Sequence, residues 1–414
     1  MSAEWIDVVW TDLVGRAHVM RATRQAAERG ALHVDAADVR AGFGSVPSPA
    51  GGEGRLRLEP DWSTLRGLPW DADVSVVLAD LLDEGAPSPL CARSFLRASA
   101  ASAGEVGCEV AAAVELEFFL VDPATGRPVY PWIDNYSVSR IECESVLAAI
   151  RNELRAMAIA IEASNPEYSG GQFEVNIAHG PALAAADQGV LLRLFTGILA
   201  RRAGLDATFL AKPWTDQSGS GAHVHQSLWR DDRNIFHGGE DELSAEGRGY
   251  LAGLLESMTE LALLGSPTPN GYHRRADGSF APTVVAWATD NRTAAVRAVL
   301  GSPGATRIEH RDGGADCNLY LTIGAQILAG LDGMRREIEP PPPIVGNAYE
   351  QHLPALPRTF LESYERLRDS ELAARLLPRP LLEAYLDALA PEVEVLMTSS
   401  ADWERERYGE VPLR

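Results

Sequence analysis

The sequence predicts an α+β protein: a small strand-rich N-terminal domain, then a large domain whose mainly antiparallel sheet is interleaved with helices. Three observations carry that expectation. Polar and apolar residues alternate with period two in VELEFF (114–119), QFEVNI (172–177), HVHQS (223–227) and RIEHR (307–311), and such alternation marks strands. Between these stretches lie longer runs with apolar residues at helical spacing, for example Ile141, Val146, Ile150 and Leu154. At 414 residues the chain exceeds what one core usually serves, and its pattern changes at GAPSPLCAR (85–93). The expected domains are 1–90 and 91–414.

Taken in order, EWIDVVWTDLVGRAHVMRATR (4–24) reads as two strands joined by a turn at Asp12–Gly15, with a short helix at 25–30. GFGSVPSPAGGEGR (42–55) is a Gly/Pro loop. A turn at 60–70 and a buried strand at 74–82 finish the small domain. The large domain opens with a helix at 94–102 and a strand at 110–121. Helices follow at 138–157, 183–204 and 243–264. Strands are expected at 281–289, 293–299 and 307–311, and a helix at 316–333. The proline run 340–343 is a linker, and helices at 357–375 and 379–399 end the chain.

Composition removes several function classes. The formal charge of −21 denies the chain the basic footprint of a nucleic-acid binder. No apolar run has the length of a membrane span, and MSAEWIDVVW lacks the basic start and apolar core of a signal peptide. Cys91, Cys108, Cys143 and Cys317 have neither metal nor disulfide spacing, which fits the reducing cytoplasm. Lys212 is the sole lysine, and neither GxxxxGK[ST] nor a post-strand GxGxxG occurs. Any phosphate must therefore be met by arginines and metal ions.

The chemistry lies on strand faces. After the Gly219-Ser220-Gly221 turn, His223, His225 and Ser227 share one face. Glu115 and Glu117 share another among apolar flanks, where two carboxylates about 4 Å apart repel by on the order of 4 kcal/mol at an effective dielectric near 20. A proton or cation between them relieves that. Gln172, Glu174 and Asn176 repeat the pattern, with Glu167 just ahead, and Arg307, Glu309 and Arg311 repeat it again. Four such strands are best explained as the walls of one cavity. Oxygen-rich ligands with an occasional histidine suit Mg²⁺ or Mn²⁺ better than zinc, and two clusters of three ligands imply two metals. Arg274, Arg275, Arg292 and Arg297 are natural partners for phosphate oxygens.

VELEFF, EYSGGQFEV (167–175), GSGAHVHQSL (219–228), SPTPNGYHRR (266–275), NRTAAVR (291–297) and RIEHR, in this order, resemble the glutamine synthetase family. VVWTDLVGRAHV (8–19) and PDWSTLRGLPW (60–70) resemble its small β-grasp domain, so the likeness covers nearly the whole chain. The resemblance implies one metal held by Glu117, Glu167 and Glu174 and another by Glu115, His223 and Glu309. It places His225 and Ser227 near the nucleotide and Arg307 near its phosphates. It places Arg292 and Arg297 on the transferred phosphate, and Gly219, Arg274 and Arg311 at the amino-acid substrate. Asp12 matches an acid that a neighbouring subunit lends to the amine site, within a homo-oligomer expected to be a dodecamer. ATP, glutamate and an amine are the implied small-molecule partners.

Two departures redirect the expected activity. Where glutamine synthetases proper carry a glutamate ahead of an Ala-Pro pair, ADGSFAP (276–282) has Phe280. A phenyl ring neither attracts ammonium by charge nor accepts a proton, but it packs against the organic part of a larger amine. Ser218 stands where asparagine is usual, on the acid side. The expectation is a glutamate–amine ligase working through γ-glutamyl phosphate, with Asp12 of a neighbour as first candidate base and Asp277 as second. Ordinary glutamine synthetase, a phosphotransferase on the same fold and an inactive ring protein are the alternatives.

Overall fold

Two sheets that share no strand organise the chain. They are seen in a computed structural model that describes residues 4–40, 42, 54–130 and 140–398. Most of the 42–55 loop, the last residue expected in the final helix and the segment after it lie outside the described residues.

The first sheet has seven strands, all between Trp5 and Pro87. Trp5–Thr11 and Ala17–Thr23 form the expected hairpin, and Trp5–Thr11 pairs in parallel with the long Asp71–Asp83 strand. The hairpin turn docks on the start of the Leu319–Arg335 helix. Asn318, the N-cap of the Leu319–Arg335 helix, donates from Nδ2 to the carbonyls of Asp12 and Leu13 at 3.1 Å each. Gly15 makes the approach possible: its φ is +90°, and a Cβ there would lie 2.7 Å from Asn318 Cα.

A second junction is ionic. Arg93, 3% exposed, reaches Asp61 and Asp80 on the first-sheet side and Asp187 on the Ala182–Arg202 helix, at 2.8–3.1 Å. Tyr320 completes the shell by donating to Asp187 at 2.8 Å.

The second sheet has eleven strands. Its spine runs Ile161–Pro166, Gln172–Ile177, Glu109–Asp122, Ala222–Arg230, Arg307–His310, Val296–Val299 and Trp287–Thr289. Neighbours along it are antiparallel except the last pair. One face of its central strands, with Val114, Leu116, Phe118, Val224 and Ile308 all at most 1% exposed, belongs to the hydrophobic core. The Ala182–Arg202 helix packs there, and the Leu319–Arg335 helix packs against it and against other helices. Ala182–Arg202 is long and apolar enough to cross a membrane, but 61% of that window is buried inside the protein, as in a core helix.

Several elements differ from expectation. The 243–264 helix stops at Ser257 and resumes as Ala262–Gly265. The 357–375 helix divides at Ser370, whose extended backbone ends Phe360–Asp369 and whose hydroxyl caps Glu371–Leu376. The strand expected at 281–289 shrinks to Trp287–Thr289, since Pro282 has no N–H to give a ladder. Arg55–Pro60 and Ile161–Pro166 are strands the patterning did not reveal.

Candidate active site

The Glu109–Asp122 strand supplies the floor. Along its open face it reads Ala111, Ala113, Glu115, Glu117: two methyl groups, then two carboxylates. Register fixes what stands beside them, because residues directly opposite in a ladder share a face with Cβ atoms about 5 Å apart. Glu117 lies opposite Glu174, and Glu115 lies between Asn176 and His223. Ser227 and His225 face Ala111 and Ala113. His225 also faces Glu309, which faces Arg297. Five strands thus converge on one polar trough.

The trough holds two cavities that share Glu115 and Asn176. One, of about 420 Å³, is lined by the carboxylates with Gly219, Phe280, Arg292, Arg297 and Arg311. The other, of about 450 Å³, is lined by the two alanines with His225, Ser227, Trp229 and Arg307. The small side chains of Ala111 and Ala113 leave the second cavity open.

Charge is divided unevenly. Burial pushes the Glu115 carboxyl up, but hydrogen bonds and electrostatic attraction from the His223 and His225 rings more than offset it and hold it well below the usual range. Burial likewise opposes ionisation of Glu309, yet Arg311, both histidines and Arg297 hold it down at about 2. Arg311 Nη1 donates to Glu309 at 2.6 Å, and Arg297 Nε donates to its other oxygen. Glu167 and Glu174 go the other way. Burial, then the negative charge of Glu117, pushes Glu167 up to about 8; burial, then Glu115, Glu117 and Glu167, pushes Glu174 up to about 9. Protons there do what a cation does better.

The donors fit a hard metal ion. Ligand atoms of Glu115, Glu174 and His223 converge within 4.8 Å, as do those of Glu115, His225 and Glu309. Gln172 and Asn176 line the same cavity, and each has a buried side-chain oxygen with no hydrogen-bond partner. Orphaned oxygens beside carboxylates suit Mg²⁺ or Mn²⁺. The grouping differs from that implied by the resemblance. Glu115 serves both triads, and His225, expected only near the nucleotide, closes the second because register sets it opposite Glu309. Glu117 and Glu167 line the same cavity outside the triads; Glu117 accepts from Gly221 N–H at 2.7 Å.

Around the nucleotide-sized cavity, Arg307 Nε lies 3.1 Å from His225 Nδ1. An arginine Nε only donates, so Nδ1 accepts and the imidazole proton sits on Nε2, 3.0 Å from Glu115. Ser227 Oγ accepts from Trp229 Nε1 at 2.9 Å.

Three of the residues considered for the site do not line the carboxylate cavity. Asp12 has no exposed side-chain surface; Arg16 and His18 cover its carboxylate at 2.7 and 3.0 Å, and the Arg16 N–H donates to it as well. Arg274, 4% exposed, does not line the cavity. Its guanidinium donates to the carbonyls of Arg311 and Asp312 at 3.0 Å. Its stem lies under Gly219, where a Cβ would come within 2.5 Å of Arg274 Cγ. In this chain Arg274 is a prop for the Gly-Ser-Gly turn. Asp277 faces another hollow, beside Arg358.

Sequence reasoning missed Asn176 as a ligand candidate and Tyr168 as a wall. The small-small-acid-acid order of the Glu109–Asp122 strand was a readable signal for the division of the trough. Tyr168 gave none, because its partner Phe280 is far away in sequence.

A trough of acids, imidazoles and arginines between a nucleotide-sized and a substrate-sized cavity is the equipment of an enzyme that handles phosphoryl groups with metal ions. The chain belongs to the glutamine synthetase family: the family model of the glutamine synthetase catalytic domain matches residues 89–408. It is 34% identical to a glutamate–isopropylamine ligase of Pseudomonas sp., across 86% of this chain and 82% of that one. It is 32% identical to the gamma-glutamylethanolamide synthetase GlnA4 of Streptomyces coelicolor, across 87% and 80%, and 32% identical to a glutamine synthetase of Thermotoga maritima, across 86% and 85%. Its backbone is similar to that of GmaS in complex with ADP, with a TM-score of 0.88 and 27% identity over 98% of this chain and 96% of that one.

Proposed function

We propose that the protein is an ATP-dependent ligase that joins the γ-carboxylate of glutamate to an organic amine through γ-glutamyl phosphate. The observation that carries this reading is Phe280: the loop over the substrate cavity presents a phenyl ring there, where ammonium would need a carboxylate. Relatives named for isopropylamine and ethanolamide products support it.

ATP enters the cavity floored by Ala111 and Ala113, its phosphates directed toward Glu115 by Arg307. Two divalent cations, Mg²⁺ or Mn²⁺, would be held by Glu115, Glu117, Glu167, Glu174, His223 and Glu309, and would supply neutralisation of phosphate charge. Phosphoryl transfer needs little beyond positioning and charge neutralisation. Arg292 and Arg297 face the cavity for that purpose; Arg297 now donates to Glu309 and faces Asp290 at 3.9 Å, partners that an incoming phosphoryl group replaces. Arg311, beside Gly219, is left as the cation for the amino-acid carboxylate. The neutral amine then attacks the acyl phosphate and phosphate leaves. A homo-oligomer and a reducing compartment belong to the same proposal. Cys91, Cys108 and Cys317, the cysteines among the described residues whose side chains are placed, are free thiols.

Phosphate release from ATP with glutamate and Mg²⁺, measured across a panel of amines, tests the reading. Strong release with one organic amine and little with ammonia is expected. Equal release with ammonia contradicts it and restores ordinary glutamine synthetase.

A further inference from the structure

Phe280 does not stand alone. Its ring stacks on Tyr168, with centroids 5.6 Å apart and planes 25° from parallel. The two come from opposite rims of the substrate cavity, and both line it. Both are also unusually open for aromatic side chains, Tyr168 at 52% and Phe280 at 44% exposure. Large apolar groups left in solvent at a cavity mouth mark a place where something apolar binds.

The rings are held where they are. Glu167 N–H donates to Gln172 O at 2.9 Å, Gln172 N–H to Ser169 O at 3.1 Å, and Ser218 N–H to Ser169 Oγ at 2.7 Å. These bonds fix the loop around Tyr168 immediately after a carboxylate of the trough. On the other rim Tyr349 donates to Ala281 O at 2.9 Å, and Ser279 Oγ donates to Arg274 O at 3.0 Å. Phe280 itself sits at φ +58°, a left-handed conformation that a bulky side chain adopts only when its surroundings enforce it.

The rest of the rim is uncharged: Ser218, Gly278 and Ser279. Every acid that lines this cavity among the described residues lies on the Glu115–Glu309 floor or at Glu167, all claimed by the metal chemistry. Among the described residues, the lining of this cavity offers a second ammonium group no carboxylate beyond those.

We propose that Tyr168 and Phe280 together form the wall of the amine subsite, and that the substrate is a monoamine bearing a small uncharged hydrocarbon group rather than a polyamine. This rests on the ligase reading and narrows it. Tyr168 acts as a specificity-determining residue: it touches the organic part of the amine and leaves the reacting nitrogen to the floor. Each methylene covered by the ring pair raises kcat/KM by about two- to fourfold, until the wall is spanned.

The test uses the full-length protein with ATP, Mg²⁺ and glutamate, and follows amide formation by mass spectrometry. The amines are ammonia, methylamine, ethylamine, propylamine, butylamine and putrescine. The wild-type protein is expected to climb along the alkyl series and to use putrescine worse than butylamine. Tyr168→Ala is expected to flatten the climb and to raise KM for propylamine about tenfold, with a clearly smaller loss for ammonia than for propylamine. Tyr168→Phe, which keeps the stacked rings, is expected to restore the climb. An equal loss with every amine, ammonia included, would reduce Tyr168 to a structural role and overturn the inference, as would an unchanged slope or a preference for putrescine. Amide formation with a flat wild-type series overturns this inference alone. No amide from any amine overturns the ligase reading, and this inference with it.

Discussion

At the residue scale, Phe280 and the two proton-holding glutamates make separate predictions. Phe280→Glu restores a carboxylate to the loop over the cavity, and ammonia use should rise at least about tenfold, given that one well-placed charge is worth on the order of 1–2 kcal/mol. No gain in the ammonia reaction would show that the loop does not set amine choice. Glu167 and Glu174 keep their protons to about pH 8 and 9 in the folded, metal-free protein, against the ordinary 4.5. From pH 7 to 9 the folded state therefore binds more protons than the unfolded one, and stability falls as pH rises. Thermal melts in chelator should show a lower Tm at pH 9 than at pH 7. Saturating Mg²⁺ should shrink that difference, since the cation takes the place of the protons; an unchanged difference would mean that these carboxylates do not meet the metal. The carboxylates, histidines and arginines of the trough were legible in the sequence because period-two spacing shows which side chains share a face. The surroundings of Asp12 and Arg274 were not legible, for the converse reason. Motif position gives no sign that Arg16 and His18 seal one, or that two carbonyls occupy the other.

At the element scale, the site is a consequence of register. A one-residue slip of Ala222–Arg230 against Glu109–Asp122 would turn His223 and His225 into the core and Val224 into the trough. The strands with clean alternation were readable, and QFEVNI was bounded to the residue as Gln172–Ile177. Arg55–Pro60 and Ile161–Pro166 were not. The first does alternate, with Leu56 and Leu58 buried between charged residues, but it is short and directly follows a Gly-rich loop; the second, IEASNP, is mostly polar or small and has no alternating burial. The breaks at Ser257 and Ser370 were also hidden, since apolar spacing continues across them while the backbone does not. The hairpin turn offers a direct check. Gly15→Ala puts a Cβ against Asn318 Cα at a positive φ, and should cost about 2 kcal/mol or more in unfolding free energy. A Tm equal to wild type would show that the turn does not dock as described.

At the scale of the whole molecule, the two sheets are joined through the Asp12–Gly15 turn and through Arg93. Composition announced two domains, and the change of pattern near residue 90 falls between the last strand of the first sheet, Ala86–Pro87, and the helix Ala92–Ala101. We propose that break as the domain boundary. Sequence did not reveal that Arg93, two residues past it, is the buried hub between the halves, because the three aspartates it binds come from three distant segments. Arg93→Ala leaves the buried Asp187 without its cation, while Asp61 and Asp80 keep Arg97 at 3.2 and 2.8 Å, and should cost about 3–5 kcal/mol. Chemical denaturation measures that loss directly, and a near-neutral result would mean that apolar packing alone holds the domains together.

The central claim is that the trough makes γ-glutamyl amides of organic amines. It is tested most directly by competition: the protein with ATP, Mg²⁺, glutamate and equal concentrations of ammonium and a small alkylamine, with the products resolved by mass. The account predicts the γ-glutamyl alkylamide as the dominant product, formed with one phosphate released for each amide. Glutamine as the dominant product, or phosphate without either amide, would contradict it.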